Sequence, residues 1–293
     1  MTAFKEKAYA KINLHLDVVK KRDDGFHEIK TVMHTVSLYD SITVSTAPSR
    51  ELNIKLTISG VNYLPADSKN LAYKAANLFF ERLGMTAEVN IRLEKRIPIS
   101  AGLAGGSSDA AAVLRALNRL YKRPFTIKAL MSMGAELGSD VPYCVVGKTA
   151  LCEGRGEKLT RLNTTAKLNF VVASAGERVS TPMAYGDLDK KYNDFIDYDS
   201  QKGDKALEEI LSVLKNSKAL DCELYNIFES AVFEKCPKSK KLKEDILALG
   251  ATVAVMSGSG PSVYGIFETE STAKSAKESL INSGYTAYYA KSV

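Results

Sequence analysis

No two of the four cysteines, Cys144, Cys152, Cys222 and Cys236, stand as a CxxC pair. Reduced structural thiols are therefore expected, rather than a disulfide frame or a thiolate zinc site. Histidine is scarcer still. His15, His27 and His34 are the only three, and none sits in an HExxH pattern, which argues against a histidine-based zinc hydrolase. No run reaches the roughly 18 apolar residues of a membrane span. The opening MTAFKEKAYAKINL alternates charge with apolar residues where a signal peptide would carry a continuous apolar core. A cytoplasmic protein with no membrane partner is the expectation. There is no internal repeat, no low-complexity tract and no long basic run. The net charge of +6 therefore points to a small anionic ligand rather than to nucleic acid. The cluster KCPKSKKLK (235–243) reads as a solvated helix face and its turn.

What is present is a chain of 293 residues, 45% hydrophobic and 25% charged, enough for one large or two moderate domains. Over residues 8–18 the even positions are all apolar, while Lys11, Asn13, His15 and Asp17 take the other face. This period of two is a strand whose outer face places Lys11 and Asn13 about 7 Å apart. DDGF (23–26) breaks it, TVMHTVSL and SITVS resume extended structure, and ELNIKLTI and EVNIRL read as further strands. A helix over 70–84 is capped by Asn70 and ended by Gly84, and one after Thr126 stops at Gly138. After about residue 162 the texture changes to a strand (LNFVVAS), a polar stretch over 190–205 and helical periods at 204–216, 225–235 and 238–249. ATVAVMS and VYGIF, a helix to 283 and a last strand YTAYYAK follow. This is an α+β chain with a boundary near 163, giving domains 1–163 and 164–293.

Four further features could carry chemistry. PISAGLAGGSSDAAAVLRALN (98–118) is a glycine-rich turn feeding an alanine-rich helix. Gly102, Gly105 and Gly106 permit positive φ, and Ser107, Ser108 and Asp109 are good N-caps, so the helix is expected to begin there. Either the N–H groups at that start cradle an anion, or the segment is only a tight turn. PYCVVGKT (142–149) imitates the end of a P-loop, but Pro142 stands at the first glycine and the flanks VPYCVV and ALCEG read as extended, not helical. Asp140, in LGSDVPY, is either a functional acid or an Asx turn before Pro142. SGSGPS (257–262) is a plain hairpin turn or a second backbone approach to phosphate. Lys11 taken alone is a solvated strand lysine, and His27 alone is a surface histidine.

Taken in order and spacing, AYAKINLHLDV, DGFHEI, PISAGLAGGSSDAA, ELGSDVPYCV and SGSGPSVYGIF resemble the GHMP small-molecule kinases over essentially the whole chain. The DGFHEI turn resembles that of the branch acting on a cytidyl diphosphate substrate. The resemblance implies a two-domain fold, with an N-terminal ribosomal-protein-S5-domain-2-like domain and a C-terminal ferredoxin-like α/β sandwich. It implies ATP as co-substrate, Mg²⁺ held largely by ATP oxygens with no assigned protein ligand, and a monomer or weak homodimer. Asp140 would be the catalytic base, and Lys11 would hold it ionised and orient the hydroxyl. The ATP loop would comprise Pro98, Ile99, Ser100, Ala101 and Gly102 on entry. Leu103, Ala104, Gly105 and Gly106 would cross it, with Ser107 and Ser108 leading out. Asn13 would contact substrate, His27 would read the cytosine edge, and Phe26 and Tyr185 would stack on the base. Two departures stand out: Phe26 replaces a usual tyrosine, and Tyr9 a usual proline, which bears on local strand geometry.

Overall fold

Two long strands carry the architecture, β1 over Ala3–Lys21 and β2 over His27–Pro48, separated by the DDGF turn. The structure, a computed structural model, describes residues 3–61, 63–164, 166–192, 201–216, 220 and 222–293; positions 193–200 of the polar stretch 190–205 lie outside the described residues. Two compact units are interleaved in the chain. The first holds Met1–Ala10, Tyr39–Ile99 and Ala104–Gly147; the second holds Lys11–Leu38, Ser100–Leu103 and Lys148–Val293. Both long strands contribute to each unit.

In the first unit the C-terminal half of β2 pairs antiparallel with β4 (Ala87–Glu94), which pairs parallel with β3 (Asn53–Ser59). Helices α1 (Leu71–Leu83), α2 (Gly105–Leu120), α3 (Ile127–Leu137) and α4 (Val141–Val146) complete it. Alternation on β4 turns Val89, Ile91 and Leu93 inward, onto Phe79 and Phe80 of α1 and Val113, Leu114 and Leu117 of α2. Ala110, Ala111, Ala112 and Ala116 are fully buried, so small side chains let α2 pack closely on several sides. The local punctuation works as read. Asn70 accepts from the Ala72 amide, Thr126 accepts from that of Ala129, and Gly84 ends α1 in the left-handed region.

In the second unit β1 pairs with the short β8 (Tyr225–Asn226), and the start of β2 with β5 (Thr149–Gly154), which turns into β6 (Lys158–Arg161). An antiparallel sheet of β7 (Asn169–Ser174), β9 (Val253–Met256), β10 (Val263–Phe267) and β11 (Thr286–Lys291) has the order β11–β7–β10–β9. Leu242 and Ile246 of α8 (Pro237–Ala248) and Ala273, Ala276 and Leu280 of α9 (Glu270–Asn282) pack on Val171, Val263 and Phe267 of that sheet. This is the α/β sandwich the resemblance implies. Helices α5 (Thr181–Tyr192), α6 (Gln201–Lys215) and α7 (Glu229–Lys235) complete the unit. The basic cluster at 235–243 straddles the turn between α7 and α8, where Lys235, Lys241 and Lys243 pair with Asp187, Asp245 and Glu229.

Three local expectations are corrected. β1 alternates as read, but its polar face is not solvated, since Lys11, Asn13, His15 and Asp17 are all at most 4% exposed. α2 begins at Gly105 with Ala104, at φ 56°, as its cap, so Ser107, Ser108 and Asp109 lie inside the first turns rather than at the cap. VPYCVV is helix α4, not an extended piece; Pro142 in its first turn has no N–H to lose there and starts the turn despite three valines. The GKT that follows still runs into strand β5, as no P-loop does. Tyr9 leaves β1 continuous; its ring meets Tyr39 edge-on at 5.6 Å, and its carbonyl accepts from the Ser108 hydroxyl.

Candidate active site

In the second unit, the inner row of β1 is a hydrogen-bonded assembly. The Lys11 ammonium donates to Asn13 Oδ1 at 2.7 Å, and the Asn13 amide donates to the Thr31 hydroxyl at 2.8 Å. The Thr31 hydroxyl in turn donates to the His15 carbonyl at 2.6 Å. Burying an ammonium and an amide is costly unless polar partners are found, and here Asn13 supplies one for Lys11 and Thr31 of β2 one for Asn13. His15 is the exception: neither ring nitrogen has a hydrogen-bond partner, and burial lowers its pKa to about 4.

The hairpin between β9 and β10 reaches the same row. The Gly258 amide donates to Asn13 Oδ1 at 2.9 Å, and the Ser257 hydroxyl donates to the Gly102 carbonyl at 3.0 Å. The Lys11 amide donates to the Leu103 carbonyl at 3.2 Å. Lys11, Asn13 and the loop segment Ser100–Leu103 are thus brought together. SGSGPS is a hairpin turn and also the wall on which Gly102 rests. At φ 72°, a Cβ on Gly102 would come within 2.0 Å of the Ser257 carbonyl oxygen. Gly102 is the only glycine of the loop that uses its freedom at positive φ; Ser100 and Ala104 adopt such values as L-residues, and Gly105 and Gly106 are helical.

His27, far from a surface histidine, is 9% exposed and lies flat on Tyr185, ring centroids 4.6 Å apart and tilted by 29°. Its Nε2 meets Asp189 Oδ1 at 2.6 Å. Asp189 follows Tyr185 by four residues on α5, so the two share a helix face. Burial works to raise the Asp189 pKa, but hydrogen bonds from Lys21 and His27 outweigh it and hold the carboxylate below its ordinary value. The ionised Asp189 can only accept, so Nε2–H donates this hydrogen bond. Tyr185 also meets Phe228 edge-on at 4.8 Å. Phe26 is 49% exposed, with the Arg155 guanidinium 4.6 Å above its ring.

In the first unit, Ser108 N makes the first helical bond of α2, to the Ala104 carbonyl at 2.9 Å. The N–H groups of Gly105, Gly106 and Ser107 precede it and point out of the helix, at the positive end of its dipole. The Ser108 hydroxyl is turned onto the Tyr9 carbonyl and its N–H onto that of Ala104, so the donors left at this helix start are the N–H groups of the three residues before it. Below the loop lies a cluster that sequence reasoning missed. Lys95 is paired with Asp40 and, at 2.8 Å, with Asp109; all three are buried, and Asp40 Oδ1 also accepts from the amides of Arg96 and Ile97. One ammonium faces two carboxylates, and burial pushes Asp109 up to about 8 although Lys95 pulls it down. Its only trace in the sequence is an acid directly ahead of the alanine run of α2. Asp140, half-buried, caps α4 with its backbone and makes no capping bond with its side chain. An Asx turn has no donor here, because Pro142, two residues on, lacks an N–H.

Among the described residues no helix is long and apolar enough to cross a membrane, and no group of three or more His, Cys, Asp or Glu could hold a metal ion. Two family models match the sequence, the GHMP kinases N terminal domain over residues 70–148 and the GHMP kinases C terminal over residues 205–286. A 4-diphosphocytidyl-2-C-methyl-D-erythritol kinase of Caldicellulosiruptor bescii is 43% identical over 278 residues, 94% of this chain and 93% of that protein. A crystal structure of 4-(cytidine 5'-diphospho)-2C-methyl-D-erythritol kinase is 34% identical, covers 98% of both chains and superposes with a TM-score of 0.80. Homoserine kinase from Cytophaga hutchinsonii, at 20% identity and a TM-score of 0.78, shares the fold over 100% of this chain and 95% of its own. Family matches in both halves and end-to-end identity above 40% lead to one conclusion: the chain belongs to the GHMP kinases, in the family of the 4-diphosphocytidyl-2-C-methyl-D-erythritol kinases.

Proposed function

We propose that the protein transfers the γ-phosphoryl group of ATP to the C2 hydroxyl of 4-diphosphocytidyl-2-C-methyl-D-erythritol, giving the 2-phosphate and ADP in non-mevalonate isoprenoid precursor synthesis. The observation that carries the substrate is the His27 imidazole, stacked on Tyr185 and held by Asp189. It is a rigid hydrogen-bonding edge beside aromatic faces, suited to a nucleobase. An exposed Phe26 ring supplies a further stacking surface and, unlike tyrosine, brings no hydroxyl.

In this reading Asp140 takes the proton from the attacking hydroxyl, while Lys11 orients that hydroxyl and offsets the negative charge. Base assistance of this kind is worth about 10²–10⁴ in rate. The rest comes from holding the phosphates in line, along the loop from Pro98 to Ser108, with the N–H groups of Gly105, Gly106 and Ser107 at the free end of α2 as donors. Asn13 serves here by fixing Lys11, beyond any contact it makes with substrate. Mg²⁺ would ride on ATP phosphate oxygens, a fit for a loop that presents backbone donors rather than carboxylates. When bound it neutralises charge on the transferred group.

The test offers the purified protein ATP with the cytidyl substrate, homoserine or mevalonate in parallel, and locates the new phosphate by phosphorus NMR. Turnover of the cytidyl substrate alone, at C2, is expected. Preference for homoserine or mevalonate would overturn the substrate, and no turnover on any of the three would favour a nucleotide-binding regulator.

A further inference from the structure

Asn226 lies in the short strand β8, beside Leu16 of β1 and outside every motif singled out in the sequence. It is 4% exposed, and its amide is fully used. Nδ2 donates to the carbonyls of Met256 at 2.7 Å and Gly258 at 2.9 Å, while Oδ1 accepts from the Phe228 amide at 3.0 Å. The Gly258 residue is therefore gripped at both ends. Its C=O faces Asn226, and its N–H donates at 2.9 Å to the Asn13 oxygen that also accepts the Lys11 ammonium at 2.7 Å.

Chemistry dictates both amide orientations. Two carbonyls converge on one side of Asn226, so only its NH₂ can face them; two donors converge on Asn13, so only its oxygen can. The rest of Asn13 is pinned as well, with its NH₂ on Thr31 and its carbonyl under the Tyr264 hydroxyl at 2.8 Å. Every link is buried and lies within one unit, where a hydrogen bond, once made, is costly to leave unpaired.

We infer that Asn226 is a positioning residue for Lys11: its amide sets the Gly258 peptide, which sets the Asn13 oxygen, which sets the ammonium. A hairpin glycine adopting φ 59° has many alternatives to this orientation, and Asn226 removes them. The consequence for catalysis rests on the reading of Lys11 given above; the positioning itself does not.

Two measurements separate them. In ¹⁵N-labelled protein without ligand, the Lys11 ammonium resonance, assigned by its disappearance in Lys11→Ala, should shift in Asn226→Asp and not in a surface control such as Lys277→Gln. Asn226→Asp keeps the size and the acceptor for Phe228 but turns an oxygen toward two carbonyls; Asn226→Ser is the second variant should it fold poorly. In turnover, either variant should lower kcat by about 10- to 100-fold with KM for ATP nearly unchanged, as expected of a misplaced catalytic group. In a Lys11→Ala background the same substitution should cost nothing further, whereas a purely structural role would lower both backgrounds alike. An unmoved ammonium resonance overturns the inference whatever the rates. A shifted resonance with kcat intact in both Asn226→Asp and Lys11→Ala upholds the positioning and overturns the catalytic reading of Lys11.

Discussion

Lys11 and Asn13, two positions apart on one face of β1, are joined ammonium to amide oxygen at 2.7 Å, and the same oxygen takes the Gly258 N–H. Replacing Asn13 by alanine removes the acceptor common to both donors. The expected result is a fall in kcat of about 100-fold with KM for ATP changed much less. Stability should also fall by about 1–3 kcal/mol, because the Gly258 amide is left buried without its acceptor. Steady-state kinetics and urea unfolding on the one variant check both.

Asp140→Asn isolates the proton-accepting role. The side chain makes no capping bond to α4, so the helix start should survive the change and the midpoint of thermal unfolding should stay close to wild type. Turnover should drop by about 10²–10⁴, the usual worth of a general base. A variant as fast as wild type would remove Asp140 from the chemistry.

How far the sequence could be read depended on the range of the interactions. Asn70, Thr126 and Gly84 were legible because a cap is decided within four residues. The burial of Lys11 and Asn13 was not, since the other groups bonded to Asn13 stand 18 to 251 residues away in sequence, and period-two alternation reports only which side chains share a face. Side-chain chemistry places the start of α2 three to five residues late for a related reason. Ser107, Ser108 and Asp109 favour caps by side-chain chemistry, yet here a left-handed Ala104 starts the helix, and Ser108 and Asp109 bond to Tyr9 and Lys95 instead. Asn226 carried no signal at all, because an asparagine in a two-residue strand matches no pattern.

Lys95→Met should be severely destabilising. It leaves Asp40 and Asp109 buried without the ammonium that pairs them, and breaking a buried ion cluster by removing one partner costs about 3–5 kcal/mol. The double variant Lys95→Met with Asp109→Leu should recover most of that loss, since Asp40 keeps the amides of Arg96 and Ile97 as partners. Urea unfolding of wild type, single and double variants measures the difference, and a double variant no better than the single would refute the charge argument.

Two buried histidines set the acid limb of stability. His34, between the hydroxyls of Thr149 and Ser292, and His15 each have a pKa lowered to about 4, in both cases chiefly by burial. The unfolded chain takes up these protons near the ordinary histidine value of 6.5 and the folded chain only near 4. Their contribution is thus fully present above about pH 6.5 and is lost as pH falls toward 4, on the order of 3 kcal/mol for each group. His15→Leu should flatten that slope and also raise stability at pH 7, because it removes two ring nitrogens that have no partner. Unfolding free energies from pH 7.5 to 4 decide; a variant with the wild-type slope would show that His15 does not titrate as described.

Gly106 distinguishes a phosphate cradle from a helix start that happens to be rich in glycine. It is exposed and helical, and a Cβ placed on it would meet only Leu71 Cδ1, at 3.5 Å, an ordinary contact. If the segment were merely a turn feeding α2, Gly106→Ala would be a gain, stabilising the helix by about 0.5–1 kcal/mol at no functional cost. If the N–H groups of Gly105, Gly106 and Ser107 close on a phosphate, the added methyl stands where the anion must approach. The expected outcome is opposite signs in two assays, a higher unfolding midpoint and a KM for ATP raised several-fold, with the apparent affinity for the cytidyl substrate little changed. Gly102→Ala should fail differently, losing stability itself, because its Cβ would collide with the Ser257 carbonyl at a left-handed φ. A Gly106→Ala variant that is more stable and binds ATP as well as wild type would leave α2 its cap and take away the cradle.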